Sequence, residues 1–163
     1  MEEKLREGRS SCFERWCAAR PILLRVLCSG AALMATRVGL GVVGFRGWKQ
    51  KLEELSRGDE GCSRVIDEAV LMEARQVARV MGMAERHLFF QPTCLERSLA
   101  LWWMLRRRGI DAELRIGARK DRANFEAHAW LELNGTILND ESEEYRDFKT
   151  FEGLIGKLGG QAS

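Results

Sequence analysis

The stretch QPTCLERSLALWWMLRRRG, residues 91–109, contains the clearest helix signal in the sequence. Thr93 and Glu96 have the spacing of a capping box, in which each side chain accepts a hydrogen bond from a backbone amide at a helix N-terminus. The run of arginines before Gly109 suits the opposite end, because cations stabilise a helix C-terminus and glycine readily adopts the left-handed conformation that ends it. The stretch therefore predicts a helix that begins at Cys94.

One face of this helix is predicted to be buried. The row of residues that helical spacing directs inward is Cys94, Ser98, Leu101 and Leu105. The thiol of Cys94 should then lie at the rim of the core, at the positive end of the helix dipole, where a thiolate is favoured. A lone cysteine on a helix is more often a small core residue than a nucleophile, so a catalytic assignment needs partner residues.

Two amphipathic strands are predicted after the helix. In DAELRIGA, residues 111–118, apolar and charged residues alternate as in a strand with one buried face. In FEAHAWLELNGTILND, residues 125–140, His128 and Trp130 share the face opposite a row of apolar residues. Asn134–Gly135 favours a hairpin that turns the chain back. A helix with a cysteine, followed by an antiparallel hairpin with a histidine, indicates the α+β class.

The hairpin supplies candidate partners for Cys94. His128 could act as the proton acceptor for the thiol, and the imidazole in turn needs an acceptor that fixes its orientation. Asn139 and Asp140 are the nearby candidates. A two-residue loop at Asn134–Gly135 would put Asn139 on the face of His128, whereas a loop of odd length would bring Asp140 there. We predict the odd-length loop and therefore assign Asp140.

Composition and charge exclude several classes of function. The 163 residues include 26 Lys and Arg and 24 Asp and Glu, and this balance lacks the basic footprint of a nucleic-acid-binding domain. The five cysteines contain no C-x-x-C pair, so neither a disulfide framework nor a zinc site is indicated. We expect reduced thiols in a cytosol, and no metal or cofactor.

The apolar stretch at residues 22–45 raises the question of membrane contact. Arg25 and Arg37 leave 11 uncharged residues between them, which is short of the roughly 20 that a spanning helix requires. Four glycines also break the stretch. We expect helices that pack on the domain or on a partner, with contact at a membrane surface as the less favoured alternative.

The chain is predicted to contain one main domain with an appendage. The polar segment RGDEGC marks the boundary, with a helical N-terminal extension at 1–60, the main domain at 61–155 and a flexible tail at 156–163. The domain should begin with a helix that Ser63 caps and Gly82 ends.

Two runs resemble a known family. CLERSLALWWMLRRRGIDAELRIGARK, followed by FEAHAWLELNGTILND, closely resembles the transglutaminase-like leader peptidases of bacterial lasso-peptide biosynthesis, and the likeness covers residues 92–140. It implies a papain-like and transglutaminase-like core, in which the catalytic cysteine begins a helix packed on an antiparallel sheet. In that family the corresponding residues form a catalytic triad, which falls here on Cys94, His128 and Asp140.

The resemblance also implies an activity and its partners. The expected enzyme is a cysteine protease that cleaves the leader peptide from a ribosomally synthesised precursor in the bacterial cytoplasm. The freed amino terminus of the core peptide would then be used by a separate ATP-dependent cyclase for macrolactam formation. Some members carry a fused winged-helix leader-recognition domain, but residues 1–60 lack the strands for one, so a separate leader-recognition protein is expected.

The mechanism that follows from such a triad is acyl transfer. Cys94 would attack the scissile carbonyl and His128 would move the proton, while the backbone amide of Cys94 would stabilise the oxyanion. Gln91 is a candidate second oxyanion donor, although it could equally be a turn residue, and Trp130 could form a wall of the cleft.

Two alternatives stay open. The same Cys-His-Asp chemistry serves transglutaminases and amidases, because a thioester fixes the acyl donor and leaves the acceptor undefined. A different class would be a non-catalytic scaffold that holds the biosynthetic complex through its N-terminal helices.

Overall fold

A computed structural model describes residues 21–56, 64–121, 124–139 and 148–150. Within these ranges the elements in chain order are α1 (Ile22–Ser56), α2 (Glu68–Glu85), α3 (Cys94–Arg106), β1 (Glu113–Asp121), β2 (Asn124–Leu133), β3 (Thr136–Ile137) and β4 (Lys149–Thr150). The strands form an antiparallel sheet with the order β3-β2-β1-β4. Three helices followed by a small antiparallel sheet confirm the predicted α+β class. The predicted tail at 156–163 lies outside the described ranges.

Helix α3 lies in the centre of the core. Its residues Leu99, Leu101 and Leu105 are fully buried, and α1, α2, β1 and β2 all pack against it. Burial of one leucine side chain contributes about 1.5–3 kcal/mol, so tertiary packing fixes this helix firmly in place. Ser98 is also fully buried, as the inward-facing row predicts.

The C-terminal end of α3 is closed by backbone hydrogen bonds. Gly109 has φ 70°, and its amide donates to the carbonyl of Arg106 at 3.0 Å. The amide of Ile110 donates to the carbonyl of Leu105 at 3.1 Å. These two bonds define a Schellman motif, and Ile110 supplies its buried apolar contact. The left-handed glycine cap predicted from the sequence is confirmed.

Helix α1 bends sharply at Gly44, which has φ 70° and ψ 177°. Trp48 lies so close to Gly39 that a Cβ atom there would overlap the indole ring. A straight helix would hold these two residues about 13 Å apart along its axis, so the chain folds back and forms two helical segments. The predicted break in the apolar stretch is therefore present, and a single one of its glycines makes it.

The inner face of α1 belongs to the same core as α3. Leu33 and Leu52 are buried with the core residues of α2 and α3, whereas Leu23, Leu27 and Val42 are exposed. A window of α1 with mean hydropathy 1.7 is long and apolar enough to cross a membrane, a test that core helices of soluble proteins and signal sequences also pass. The predicted packing of this segment on the domain is confirmed for its inner face.

Helix α2 begins later than the sequence suggested. Asp67 is its N-cap, and its Oδ1 atom accepts a hydrogen bond from the amide of Val70 at 2.8 Å. The predicted cap at Ser63 and the predicted stop at Gly82 are wrong, because a carboxylate cap stands closer to the apolar row and the helix runs through Gly82 to Glu85. A glycine inside a helix is tolerated at a cost of about 1 kcal/mol when neighbouring turns are packed.

The two faces of the sheet have different surroundings. Ala129, Leu131 and Leu133 are buried on the face that packs against α3. Because side chains alternate along a strand, His128 and Trp130 lie on the opposite face. Strand β4, which the sequence did not predict, extends the sheet at the edge of β1.

Candidate active site

The thiol of Cys94 lies at the start of α3. Cys94 is the first residue of the helix and is half-buried. The amide of Glu96 donates to Thr93 Oγ1 at 3.2 Å, and the amide of Thr93 donates to Glu96 Oε2 at 2.8 Å. Both hydrogen bonds of the predicted capping box are therefore present, and they fix the backbone on either side of Cys94.

Helix α1 braces this N-terminus from outside. The residue Glu96 is 7% exposed, and its Oε1 atom lies 3.5 Å from an Nη atom of Arg37 on α1. The guanidinium carbon of Arg37 also lies 4.6 Å from the ring centroid of Phe90, in the loop before Cys94. A buried carboxylate needs such partners, so α1 helps to hold the turn that carries the thiol.

The imidazole of His128 lies among aromatic rings. It stacks on Trp130 with 6.0 Å between ring centroids, and the ring of Phe148 lies 5.3 Å away. Trp130 is 3% exposed, so its ring is a fixed support for the half-buried imidazole. Two flanking rings restrict the orientations that His128 can adopt.

Gly117 makes room for these rings. It pairs with His128 across the β1–β2 ladder, and a Cβ atom there would lie 2.9 Å from Phe148 Cβ and 3.0 Å from Trp130 Cη2. Neither Gly117 nor Phe148 is predicted from the sequence to be part of this site. A glycine that interrupts an alternating strand is the signal that could have indicated a close approach.

The hydroxyl of Ser98 connects helix α3, which begins with Cys94, to strand β2, which contains His128. Ser98 Oγ, one helical turn after Cys94, donates to the carbonyl of Ala129 at 2.9 Å. The carbonyl belongs to the residue that directly follows His128, so the two elements that carry the proposed nucleophile and base are bonded to each other. The side chain of His128 lies on the opposite face of β2 from that of Ala129, so the proximity of the thiol and the imidazole stays a prediction.

The turn between β2 and β3 differs from the prediction. Leu133 pairs with Thr136, and Asn134 and Gly135 have φ 48° and 74°. This is a two-residue turn, so the predicted odd-length loop is wrong. The physical reason is that Asn-Gly readily places both central residues at positive φ, in the turn whose twist matches that of the flanking strands.

The two-residue turn removes the structural reason for placing Asp140 beside His128. The odd-length loop was the reason to place Asp140 beside His128, and Asp140 itself lies outside the described residues. Its assignment stays a prediction that the resemblance alone supports. The other candidate, Asn139, has its amide engaged elsewhere, since Oδ1 accepts from the amide of Leu131 at 2.8 Å and Nδ2 donates to Ser98 Oγ at 2.7 Å.

Two further features complete the surroundings of Cys94. Gln91, the candidate oxyanion donor, lies exposed in the loop before α3. One turn along the helix, Arg97 Nε lies 3.2 Å from Glu85 Oε1. Burial raises the pKa of Glu85, and Arg97 partly opposes this shift.

Within the described ranges, no three His, Cys, Asp or Glu side chains are grouped so that they could hold a metal ion.

Comparison with known families identifies the fold. The profile of the transglutaminase-like superfamily matches residues 32–152, from α1 to beyond β4. The chain belongs to the transglutaminase-like superfamily. No curated protein and no solved structure matches the chain. Membership of the transglutaminase-like superfamily indicates an activity of the cysteine-protease or acyl-transferase type.

The family match also bears on domain organisation. It begins at residue 32, inside the segment that the sequence suggested as an N-terminal extension. The division near residue 60 stays a prediction, although the inner face of α1 shares the core of the transglutaminase-like domain.

Proposed function

We propose that this transglutaminase-like protein is a cysteine protease that cleaves the leader peptide from a lasso-peptide precursor in the bacterial cytoplasm. Cleavage frees the amino terminus of the core peptide for macrolactam formation by a separate ATP-dependent cyclase. The observation that carries the proposal is the position of Cys94, which is the first residue of the capped helix α3. Ser98 of the same helix donates a hydrogen bond to the carbonyl of Ala129, the residue after His128. The superfamily match supports thiol-based acyl transfer as the chemistry.

The first half of the reaction transfers the leader to the enzyme. The thiolate of Cys94 attacks the carbonyl carbon of the scissile bond and forms a C–S bond, and the electron pair moves to the carbonyl oxygen. The backbone amide of Cys94 is placed to stabilise this oxyanion, with Gln91 as a candidate second donor. When the C–N bond breaks, the imidazolium of His128 gives its proton to the departing amine, which is the core peptide's new amino terminus.

The second half releases the leader. Neutral His128 takes a proton from water, and the resulting hydroxide attacks the thioester that joins Cys94 to the leader. The C–S bond breaks, the thiolate is restored and the leader departs with a free carboxylate. Asp140 would orient the imidazole and stabilise its protonated form, and Trp130 would support the ring from one side.

The peptide substrate and the partners are proposed from the resemblance over residues 92–140. In this proposal a separate leader-recognition protein delivers the precursor. The cyclase receives the product.

Incubation with a leader–core precursor, followed by mass spectrometry, tests the proposal. We expect hydrolysis at the leader–core junction, loss of cleavage in Cys94→Ala, and unchanged cleavage in the matched control Cys28→Ala, since Cys28 is an exposed cysteine on α1. A primary amine tracer in the same reaction separates the rival chemistry. Incorporation of the amine without hydrolysis would assign a transglutaminase, and maturation that survives Cys94→Ala would assign a scaffold; either result overturns the proposal.

A further inference from the structure

We propose that Ser98 is a positioning residue whose hydroxyl sets the relative placement of Cys94, His128 and the segment that leads into Asp140. This inference rests on the proposed function, because it assigns a role to Ser98 within the same candidate site. Ser98 would not touch the substrate. It would act through the three elements to which it is bonded.

The hydroxyl of Ser98 joins three parts of the chain at one buried point. Its oxygen donates to the carbonyl of Ala129 at 2.9 Å and accepts a hydrogen bond from Asn139 Nδ2 at 2.7 Å. Ser98 itself is 0% exposed, so water does not compete for these bonds. The three residues lie on α3, on β2 and on the chain after β3.

Each member of this junction stands close in sequence to a proposed catalytic residue. Ser98 follows Cys94 by one helical turn, Ala129 directly follows His128, and Asn139 directly precedes Asp140. A small displacement at the junction would therefore be passed to the proposed catalytic residues Cys94 and His128. Misplacement of reacting groups by about 1 Å can reduce a rate by about 100-fold.

Asn139 fixes the point at which the chain leaves the sheet. The amide of Leu138 still donates to the carbonyl of Leu131 at 3.0 Å, in register with the two-residue turn. The return bond is different, because the amide of Leu131 donates to Asn139 Oδ1 at 2.8 Å. The side chain of Asn139 takes the position of a strand partner, so the placement of Asn139 depends on this bond and on the bond to Ser98.

Two other buried serines show that burial alone does not produce such a junction. The hydroxyl of Ser29 donates to the carbonyl of Arg25, and that of Ser56 donates to the carbonyl of Leu52. Both bonds stay within α1 and connect no second element. Ser56, which is 1% exposed, is therefore a matched control for Ser98.

The test compares Ser98→Ala with Ser56→Ala in the full-length protein. One measurement is cleavage of the leader–core precursor, with kcat and KM determined separately. We expect Ser98→Ala to lower kcat by about 10- to 100-fold with KM within about 2-fold, because the substrate-binding surface is unchanged while the reacting groups are displaced. Ser56→Ala should leave both constants within about 2-fold.

The second measurement is the rate at which iodoacetamide alkylates Cys94 as a function of pH, read by mass spectrometry of the peptide that contains it. In Ser98→Ala we expect the pH of half-maximal alkylation to move upward, toward that of His128→Ala, since a displaced imidazole no longer favours the thiolate. A purely structural role for Ser98 would reduce the folded fraction but would leave this pH unchanged in the molecules that fold.

Asn139→Ala provides an independent variant, which is needed if Ser98→Ala does not fold. It removes the bonds to Ser98 and to the amide of Leu131 from a half-buried position and should reproduce the fall in kcat and the shift in alkylation pH. The double variant should be no worse than the more damaged single variant, because both changes break one junction. Additive effects, or a Ser98→Ala variant that matches Ser56→Ala in kcat and in alkylation pH, would overturn the proposal.

The two measurements also separate the failure of this inference from the failure of the proposed function. Alkylation requires no precursor. If the wild-type protein leaves the precursor intact but Ser98→Ala and Asn139→Ala still shift the alkylation of Cys94, the junction stands and the proposed substrate is wrong. If the wild-type protein cleaves and the two variants behave as the control does, the substrate stands and the junction is wrong.

Discussion

Replacement of Gly117 by alanine should disturb the aromatic support of His128. The added Cβ would lie 2.9 Å from Phe148 Cβ and 3.0 Å from Trp130 Cη2, closer than carbon atoms approach without a shift. Phe148 Cβ is attached directly to the backbone, and Trp130 is 3% exposed, so neither can simply rotate away. The least costly response is a displacement of β4, which is two residues long and pairs with β1 at Gly117 and Ala118.

The magnitude follows from two opposing effects. Overpacking of a well-packed site costs about 1–3 kcal/mol, whereas replacing glycine by alanine stabilises the folded state by about 0.4–1 kcal/mol through the unfolded chain. The middles of these two ranges give a net loss of about 1.3 kcal/mol in the free energy of unfolding. With a urea m-value of about 2 kcal/mol/M, the midpoint of unfolding should fall by about 0.5–1 M.

Urea unfolding followed by circular dichroism measures this loss, with Gly82→Ala as the matched control. Gly82 lies inside α2, and a Cβ there would meet nothing within 4 Å, so the control should gain up to about 1 kcal/mol from helix propensity. Because Phe148 and Trp130 also flank His128, kcat/KM for Gly117→Ala should fall by about tenfold. A Gly117→Ala protein as stable and as active as the wild type would refute the close packing around His128.

Three further predictions concern the helix cap, the turn and a buried carboxyl. Thr93→Ala should lower the free energy of unfolding by about 1 kcal/mol in urea titrations, because it removes the bond to the amide of Glu96, whereas Thr93→Ser should stay within about 0.5 kcal/mol of the wild type. Gly135→Ala should cost about 1–2 kcal/mol by the same assay, since φ 74° forces its Cβ toward the carbonyl oxygen; an unchanged midpoint would contradict the two-residue turn. Burial raises the pKa of Glu85 above its ordinary value of 4.5. A carboxyl group with a higher pKa in the folded than in the unfolded protein contributes stability at a pH below the pKa of the unfolded state. This stability is lost as the pH rises through the pKa of the folded state. The wild type should therefore lose stability relative to Glu85→Gln as the pH increases above 4.5, and a difference that does not vary with pH would show that burial of Glu85 is not coupled to folding.

The elements that the sequence predicted best are those with local signals. Helix α3 begins and ends where its capping box and its left-handed glycine indicate, because both motifs involve residues within one turn of the chain. The strands β1 and β2 follow from the alternation of apolar and charged residues. In each case the physical cause lies within a few residues of its effect.

The features that the sequence did not predict depend on distant contacts. The sequence does not indicate which of the four glycines bends the apolar stretch. The bend lies at Gly44, and it allows Trp48 to pack against Gly39. Strand β4 is too short for an alternation to be visible, and it pairs with β1 next to the contact between Phe148 and His128.

The turn at Asn134–Gly135 was predicted wrongly although its signal is local. Asn-Gly is typical of a two-residue turn, whereas the predicted odd-length loop would place Asp140 on the face of His128. The structure follows the local signal. The role of Ser98 was also visible only in part, because helical spacing predicts its burial but gives no information about the carbonyl of Ala129 or the amide of Asn139.

The central claim is that Cys94 is the nucleophile of a leader peptidase. The most direct measurement uses the leader peptide with a chloromethyl ketone at its C-terminus and locates the covalent adduct by mass spectrometry. We predict an adduct on Cys94 that forms faster than with a scrambled leader and is slowed in His128→Ala. An adduct on Cys28, or equal rates for the leader and its scrambled form, would contradict the claim.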